Sequence, residues 1–177
     1  MATGRTEEAL ARVEHCRTLD PLNPSINASV GMIHYLAHDF DGTLIALRRG
    51  IEIDPHHYVS HLRVGLVCLQ KEMPDEAIDA MHRAVGHSGR STESLAGLAQ
   101  AYAVIGDSRA REKIMTELRE SDAYVSPYHI ARVYGAIDDK PLALEWLERA
   151  FREHNPDLIE LTREASFRGL HSDTGFL

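Results

Sequence analysis

Histidine is the residue type in this sequence most able to do chemistry, because the chain of 177 residues contains eleven of them. Two pairs, His34 with His38 and His57 with His61, are separated by four residues. That spacing can place both rings on one helix face, as metal ligands often are. No glutamate stands inside either pair as in a zincin, and no third ligand follows at a fixed spacing. We therefore expect structural or exposed histidines, with no bound metal and no cofactor.

The other residue types that commonly take part in catalysis do not stand in a known catalytic motif. Cys16 and Cys68 lie in apolar runs with helical spacing, which predicts buried, inert thiols of the kind found in a reducing cytoplasm. The sequence has no nucleophile elbow and no glycine-rich phosphate loop. Arginine pairs such as Arg48–Arg49 and Arg109 with Arg111 are typical of solvated helix faces. We expect no catalytic residue and no enzyme activity.

Composition narrows the class of protein further. The net charge is −8 and the pI is about 5.7, so an acidic surface would repel phosphates and nucleic acid is not expected as a partner. No run of about 18 apolar residues could span a membrane, and the N-terminal stretch lacks the apolar core of a signal peptide. These features predict a cytoplasmic protein. Aromatic residues make up only 6%, which favours an aliphatic, alanine-rich helical core.

The elements that must hold any site recur with a fixed period. Two helical runs end in Asp-Pro, at Pro21 and Pro55, which are 34 residues apart in the sequence. Gly31 and Gly65 keep the same spacing, and Gly89 stands where a third run should end. Such a period predicts stacked helix pairs in which small residues let the helices approach closely. A small residue followed three positions later by tyrosine then recurs 32 residues apart, at Ala99–Tyr102 and Ala131–Tyr134.

This period and its small residues resemble the tetratricopeptide repeat, from about Thr6 to Pro156. The residues that match the repeat pattern are Val30, Gly31, Leu47, Pro55, Val64, Gly65, Ala77, Met81, Ala84, Leu98, Ala99, Tyr102, Ile130, Ala131, Tyr134, Ala143, Leu147 and Ala150. The residues that depart from it are Asn27, His61, Leu95 and Pro127 at the initial tryptophan, and Thr43 and Arg111 at an expected alanine. The resemblance implies an all-α fold, a right-handed α-solenoid superhelix of antiparallel helix pairs.

The predicted organisation is a single domain over residues 1–177. It begins with a half repeat at 5–22 and ends with a packing or capping segment at 157–177, for which we expect a last helix from Asp157. The half repeat would leave an apolar edge, so either a partner covers it or the chain belongs to a longer protein. The complete repeats are predicted at residues 24–57, 58–91, 92–123 and 124–157.

A second resemblance concerns the C-terminal part of the chain. From Tyr124 onward the sequence is similar to repeat tails of multidomain bacterial signalling proteins, where they follow kinase, nucleotide-cyclase or DNA-binding regulator domains. The resemblance implies a regulatory tail that carries no catalysis. The matching residues are Phe167, Leu170, Ser172, Asp173 and Phe176, whereas Glu164-Ala165 and Thr174 depart from the prolyl pairs of those tails.

The resemblance also implies where a partner would bind. In the family, the first helix of each pair lines a concave surface, and the ligand usually lies there. An apolar groove of this kind suits an amphipathic helix or an extended apolar peptide. Positions such as Ala28 and Met32 cannot form the carboxylate clamp of the family's chaperone-tail binders. The residues directed into the groove are Met32, Tyr35, Val59, Leu62, Leu66, Leu69, Gln70, Gln100, Val104, Tyr128 and Arg132.

Two functions remain open at this stage. The first is a protein or peptide-binding scaffold. The second is a self-association module, in which the unfinished ends or the apolar strip form a homodimer. The chain itself could also cover part of the strip, because exposed apolar patches of this size normally have an occupant.

Overall fold

The structure is a computed structural model that describes residues 3–171, with side chains described from residue 7. The predictions for Ser172, Asp173, Thr174 and Phe176 lie outside the described residues. Within the described part the chain forms nine α-helices and two short 3-10 helices, without any strand. The predicted all-α fold class is confirmed.

The helices follow one another as antiparallel pairs. Each predicted complete repeat range contains two of them. The α-helices are α1 Thr3–Leu19, α2 Pro24–Leu36, α3 Phe40–Ile53, α4 Tyr58–Gln70, α5 Pro74–His87, α6 Thr92–Ile105, α7 Ser108–Arg119, α8 Pro127–Ala136 and α9 Lys140–Arg152; the 3-10 helices are Pro156–Glu160 and Ala165–Leu170.

Side-chain caps explain where several helices begin. The Asn23 side chain accepts a hydrogen bond from the Ser25 N–H at the start of α2, where Pro24 occupies the first helical position. The second helices of three pairs begin after an aspartate that accepts a backbone N–H from the first turn. These aspartates are Asp39, Asp107 and Asp139.

The turn inside each helix pair contains one residue in the left-handed conformation. These residues lie 34, 34 and 32 residues apart, the spacing of the repeat itself. Glycine adopts positive φ at little cost, whereas other residues are strained there. Only the third of the four turns uses glycine, so the other three carry some strain. The four residues are His38, Glu72, Gly106 and Asp138.

The described chain divides into two compact units, and the first, unit 1, is Met1–Ser88. Its small residues lie at contacts between the helices of a pair. A Cβ atom on Gly31 would lie 3.1 Å from the Leu47 side chain, and one on Gly65 would lie 2.7 Å from Met81. Cys68 is fully buried as predicted, but the prediction is wrong for Cys16, which is exposed. The helix that carries it, α1, packs mainly against α2 and leaves much of its surface uncovered.

The second unit, unit 2, is Gly89–Leu177, and its described part contains α6–α9 and the C-terminal segment, defined as residues 155–170. The expected last helix from Asp157 is replaced by two 3-10 helices. The chain turns between them, and Glu164 caps the second one by accepting the Ser166 N–H. This turn buries Phe167 and Leu170 in the core. The core cluster consists of Tyr128, Ala131, Ala143, Leu147, Ala150, Phe167 and Leu170.

Candidate functional site

Most side chains predicted to line the groove are covered in the structure. Met32 and Val59 are half-buried, and Val104 is 47% exposed. A role for any of these residues in partner binding stays a prediction. The structure reduces the number of candidate contact residues, since a partner could reach only the half-buried or exposed side chains without displacing other parts of the chain. The covered residues are Tyr35, Leu62, Leu66, Leu69 and Gln70 in unit 1, and Gln100, Tyr128 and Arg132 in unit 2.

In unit 1, two of the predicted residues bind each other. The Gln70 Nε2 donates to the Tyr35 hydroxyl oxygen at 3.2 Å, and both side chains are buried. The bond joins the first helices of neighbouring pairs, α2 and α4. Buried polar groups that find a partner inside the fold avoid a desolvation cost, and this bond gives the Gln70 amide nitrogen and the Tyr35 hydroxyl such a partner within the repeats.

In unit 2, the predicted residues bind the chain's own C-terminal segment. The Gln100 Nε2 donates to Glu164 Oε1 at 3.1 Å and to Ser166 Oγ at 2.9 Å. The Arg132 Nη1 lies 3.8 Å from Glu164 Oε2, and both charged side chains are almost fully buried. Burying a carboxylate is tolerable only with an opposite charge and hydrogen bonds around it. Gln100, Arg132 and the cap bond of Ser166 supply them.

An aromatic contact fixes the segment next to this carboxylate. The rings of Phe167 and Tyr128 are 5.8 Å apart and nearly perpendicular, at 71°. The Arg132 guanidinium lies 5.7 Å from the centre of the Tyr128 ring. Gly135 allows the segment to come close, because a Cβ atom there would lie 2.5 Å from the Ser166 carbonyl oxygen. We call the surface formed by Gln100, Tyr128, Arg132 and Gly135 the first-helix face of unit 2, since α6 and α8 are the first helices of their pairs.

The beginning of the segment is also tied to α8. The Asn155 Nδ2 donates to Ser126 Oγ at 2.9 Å, and its Oδ1 accepts the Asp157 N–H at 2.9 Å. The His129 Nε2 lies 3.1 Å from an Asp157 carboxylate oxygen. Asn155 therefore joins the N-terminus of α8 to the first 3-10 helix. This link directs the rest of the C-terminal segment along α8.

Sequence reasoning placed Gln100, Tyr128 and Arg132 on the binding face but missed the residue that occupies it. Glu164 was read only as a departure from a tail motif. The signal that could have found it is the polarity of Gln100 and Arg132 within an otherwise apolar strip, because buried amide and guanidinium groups require an acceptor.

The two histidine pairs with metal-like spacing have other partners. His34 Nδ1 lies 2.8 Å from Asp39 Oδ2, and His61 Nε2 lies 2.9 Å from the Pro55 carbonyl oxygen. His57 Nδ1 lies 2.8 Å from Ser60 Oγ, and burial lowers the pKa of His57. Among residues 3–171 there is no group of three or more histidine, cysteine, aspartate or glutamate side chains placed to hold a metal ion.

Histidines nevertheless gather at one end of unit 1. His56 Nδ1 lies 3.1 Å from His87 Nδ1, and the rings of His61 and His87 are 5.5 Å apart. Desolvation, followed by the neighbouring His56 and His61, lowers the pKa of His87. This part of the structure therefore favours the neutral form of the His87 imidazole.

In the part of the chain that the structure describes, no helix is both long enough and apolar enough to cross a membrane. No family model matches the chain. The chain is 28% identical over 134 residues to the peroxisomal targeting signal receptor of Eremothecium gossypii. This match covers 75% of the chain but only 23% of the receptor's length.

The likeness to a solved structure is broader. The chain is similar to YrrB, described as "a TPR protein with an unusual peptide-binding site", with a TM-score of 0.57 and 18% identity. The superposition covers 92% of this chain and 84% of YrrB. The 34-residue spacing of the left-handed turns agrees with that likeness. The chain therefore has the fold of the tetratricopeptide-repeat family.

Proposed function

We propose that this protein is a non-catalytic interaction module that binds a peptide or a helix of a partner protein on the first helices of its repeats. The observation that carries the proposal is the C-terminal segment itself. It lies on the first-helix face of unit 2, with the Glu164 carboxylate at Gln100 and Arg132 and the Phe167 ring at Tyr128. A face that holds a peptide of the same chain has the chemistry to hold a peptide of another.

The segment indicates what kind of peptide fits unit 2. It presents a carboxylate and, three residues later, a phenylalanine. A partner with the same pair of groups would compete with the segment for Gln100, Arg132 and Tyr128. The description of YrrB as a peptide-binding protein supports the same class of ligand.

Unit 1 offers a different surface for the partner. Met32 on α2 and Val59 on α4 remain half-buried, and within unit 1 no segment like 155–170 lies among the described elements. Apolar side chains that are partly accessible can be buried further by an amphipathic helix, which is the usual driving force for helix-in-groove binding. We propose Met32 and Val59 as the contact residues there.

A displayed library of random peptides tests the proposal. We expect peptides to be enriched on the wild-type protein and to lose at least about tenfold in affinity on Met32→Glu or Val59→Glu. Ile45→Glu is the matched control, because Ile45 on α3 is an apolar residue that is 71% exposed. Failure to enrich any peptide, or equal loss in the Ile45 variant, would count against the proposal.

Self-association is a second candidate, and one observation favours it. Leu19 at the end of α1 and Leu22 after it are 73% and 74% exposed, close together in the sequence. A second copy that covered these leucines would remove apolar surface from water. Sedimentation at several concentrations tests this: a dimer that Leu22→Glu converts to a monomer supports it, and a wild-type protein that is a monomer throughout opposes it.

We further propose that the module serves as a regulatory tail of a bacterial signalling protein, in the cytoplasm. The similarity from Tyr124 onward supports the tail, and its Phe167 and Leu170 are buried anchors of the C-terminal segment. The two free cysteines support a reducing compartment. Sequencing upstream of the coding region tests the tail: a reading frame that continues into a kinase, cyclase or regulator domain supports it, and an in-frame stop codon opposes it.

A further inference from the structure

A cavity of about 380 Å³ lies within unit 2, and none of its lining residues belongs to the C-terminal segment. Met115 and Leu118 of α7, Ile130 of α8 and Trp146 of α9 form its apolar walls. With 100° of rotation per residue, Ile130 lies on nearly the opposite side of α8 from Tyr128 and Arg132. The cavity is therefore separate from the first-helix face of unit 2.

A long connection borders the cavity. Residues 120–126 join α7 to α8, whereas residues 54–57 suffice between α3 and α4. The helices α3 and α4 pack directly against each other, but α7 and α8 make few direct backbone contacts. The long connection passes over the gap between them, and Ala123, Tyr124 and Val125 from it complete the wall.

Two guanidiniums lie at the mouth of the cavity, and the first, Arg149, is held by an aromatic ring and a carboxylate. Arg149 lies 5.2 Å from the centre of the Trp146 ring and donates to Glu153 at 2.8 Å. The Tyr124 hydroxyl donates to the same carboxylate at 2.9 Å. The hydrogen bonds from Arg149 and Tyr124 lower the pKa of Glu153, so it stays ionised and keeps Arg149 in place.

The second guanidinium at the mouth is free to change partner. Arg119 donates to a Glu112 carboxylate oxygen and to Thr116 Oγ1, the latter at 3.1 Å, and the hydrogen bond that Glu112 accepts raises the pKa of Arg119. Both members of the pair are more than half exposed, and such surface pairs contribute little free energy. Among the described residues that line the cavity, the charged ones are Arg119 and Arg149, so an anion that enters can pair with Arg119 by replacing Glu112.

We infer that this cavity is a binding site for a small apolar carboxylate. An aromatic or branched body of about 10–20 non-hydrogen atoms would fill the space beside Trp146 and Ile130, because cavities of this size and character bind small molecules. Its carboxylate would replace Glu112 on Arg119, whose planar guanidinium matches a carboxylate with two parallel hydrogen bonds. This site is independent of the peptide binding proposed above.

Trp146 is the only tryptophan in the sequence, so its fluorescence reports on this cavity without labelling. We expect 4-phenylbutyrate to change Trp146 fluorescence saturably. The neutral amide 4-phenylbutyramide, which has the same body without the charge, should bind at least about tenfold more weakly. The absence of a saturable change with both 4-phenylbutyrate and 2-naphthoate up to solubility would overturn the inference.

Three variants distinguish binding of the probe in the cavity from a general effect of the protein's charge. Arg119→Gln should lower 4-phenylbutyrate affinity about tenfold, to the level of the amide. Arg90→Gln is its matched control, since Arg90 forms a similar exposed pair with Glu117 but does not line the cavity. Ala123→Phe should fill the cavity and abolish binding of both probes. Thermal melting checks that each variant is folded, and equal affinity of the Arg119 and Arg90 variants would contradict the assignment.

Discussion

Unit 1 and unit 2 are built from the same kind of helix pair, but the buried polar side chains on their first helices bind different partners. In unit 1 a buried glutamine, Gln70, binds Tyr35 of the preceding pair. In unit 2 the buried Gln100 binds Glu164 and Ser166, which follow it by 64 and 66 residues. The difference teaches that the buried polar side chains of a repeat can find partners within the repeats or in a separate segment of the chain, and that the second arrangement brings that segment onto the first helices.

The glycines of the two units show the same contrast. In unit 1, the space at Gly65 is filled by the end of the Met81 side chain, which is flexible. In unit 2, the space at Gly135 is filled by the backbone carbonyl of Ser166. The first glycine thus serves packing within a helix pair, and the second serves the docking of the C-terminal segment.

The largest effect is expected where the segment enters the core of unit 2. Phe167→Ala removes a fully buried ring that contacts Tyr128, and we expect a loss of about 3–5 kcal/mol in the free energy of unfolding. Phe151→Ala is the control, because Phe151 is 71% exposed and its loss should change the free energy by less than about 0.5 kcal/mol. Urea titration followed by Trp146 fluorescence measures both. Similar effects of the two variants would mean that the segment is not part of the core.

The next largest effect on stability is expected at the two glycines, Gly135 and Gly65. Gly135→Ala should destabilise unit 2 by about 1–3 kcal/mol, because the new methyl group meets a backbone carbonyl that cannot move alone. Gly65→Ala should change stability by less than about 1 kcal/mol, since the gain in helix propensity offsets the displacement of Met81. Urea titrations of both variants compare them, and a larger loss for Gly65→Ala would reverse the contrast.

A smaller effect on stability is expected at the N-terminal caps of the second helices, where the substitutions in the two units should have opposite signs. Met73 of unit 1 stands before α5 without a side-chain cap, whereas Asp107 of unit 2 caps α7. We expect Met73→Asp to stabilise the protein by about 1 kcal/mol and Asp107→Ala to destabilise it by about the same amount. Thermal melting monitored by circular dichroism measures both. A destabilised Met73→Asp variant would show that packing of Met73 outweighs the missing cap.

The smallest expected effect is a dependence of stability on pH that arises in unit 1. Burial lowers the pKa of His57 below its ordinary value, so the unfolded chain binds a proton more readily than the folded one. The stabilisation is complete above the ordinary pKa and is lost as the pH falls through the lowered one. We expect the melting temperature to fall between pH 7 and pH 5, and to fall less in His57→Asn. An equal fall in both proteins would assign the effect to other groups.

The sequence made the repeat predictable because its small residues are contact points. Gly31, Gly65, Ala77 and Ala84 can be recognised by type and spacing, and the structure buries them between helices. The left-handed turn residues were not predictable in the same way. The four positions carry four different residue types, His38, Glu72, Gly106 and Asp138. Their shared left-handed conformation is therefore visible only in the backbone.

The candidate site was predictable only in part. The resemblance to the repeat family placed Gln100, Tyr128 and Arg132 on one face, but it could not show what covers them. The pairing with Glu164 joins positions 64 residues apart in the sequence, and it depends on a turn between two 3-10 helices that leaves no periodic pattern. The cavity beside Trp146 was likewise hidden, because its walls come from three helices and a connection that share no sequence motif.

The central claim is that the first-helix face of unit 2 is a peptide-binding surface occupied by the chain's own segment. The most direct test titrates a fluorescent synthetic peptide of residues 155–171 into the wild-type protein and into folded Phe167→Ala, followed by fluorescence anisotropy. We expect saturable binding to the variant, little binding to the wild type, and no binding of a peptide that carries the same Phe167→Ala change. Equal binding to both proteins, or a folded variant that does not take up the peptide, would contradict the claim.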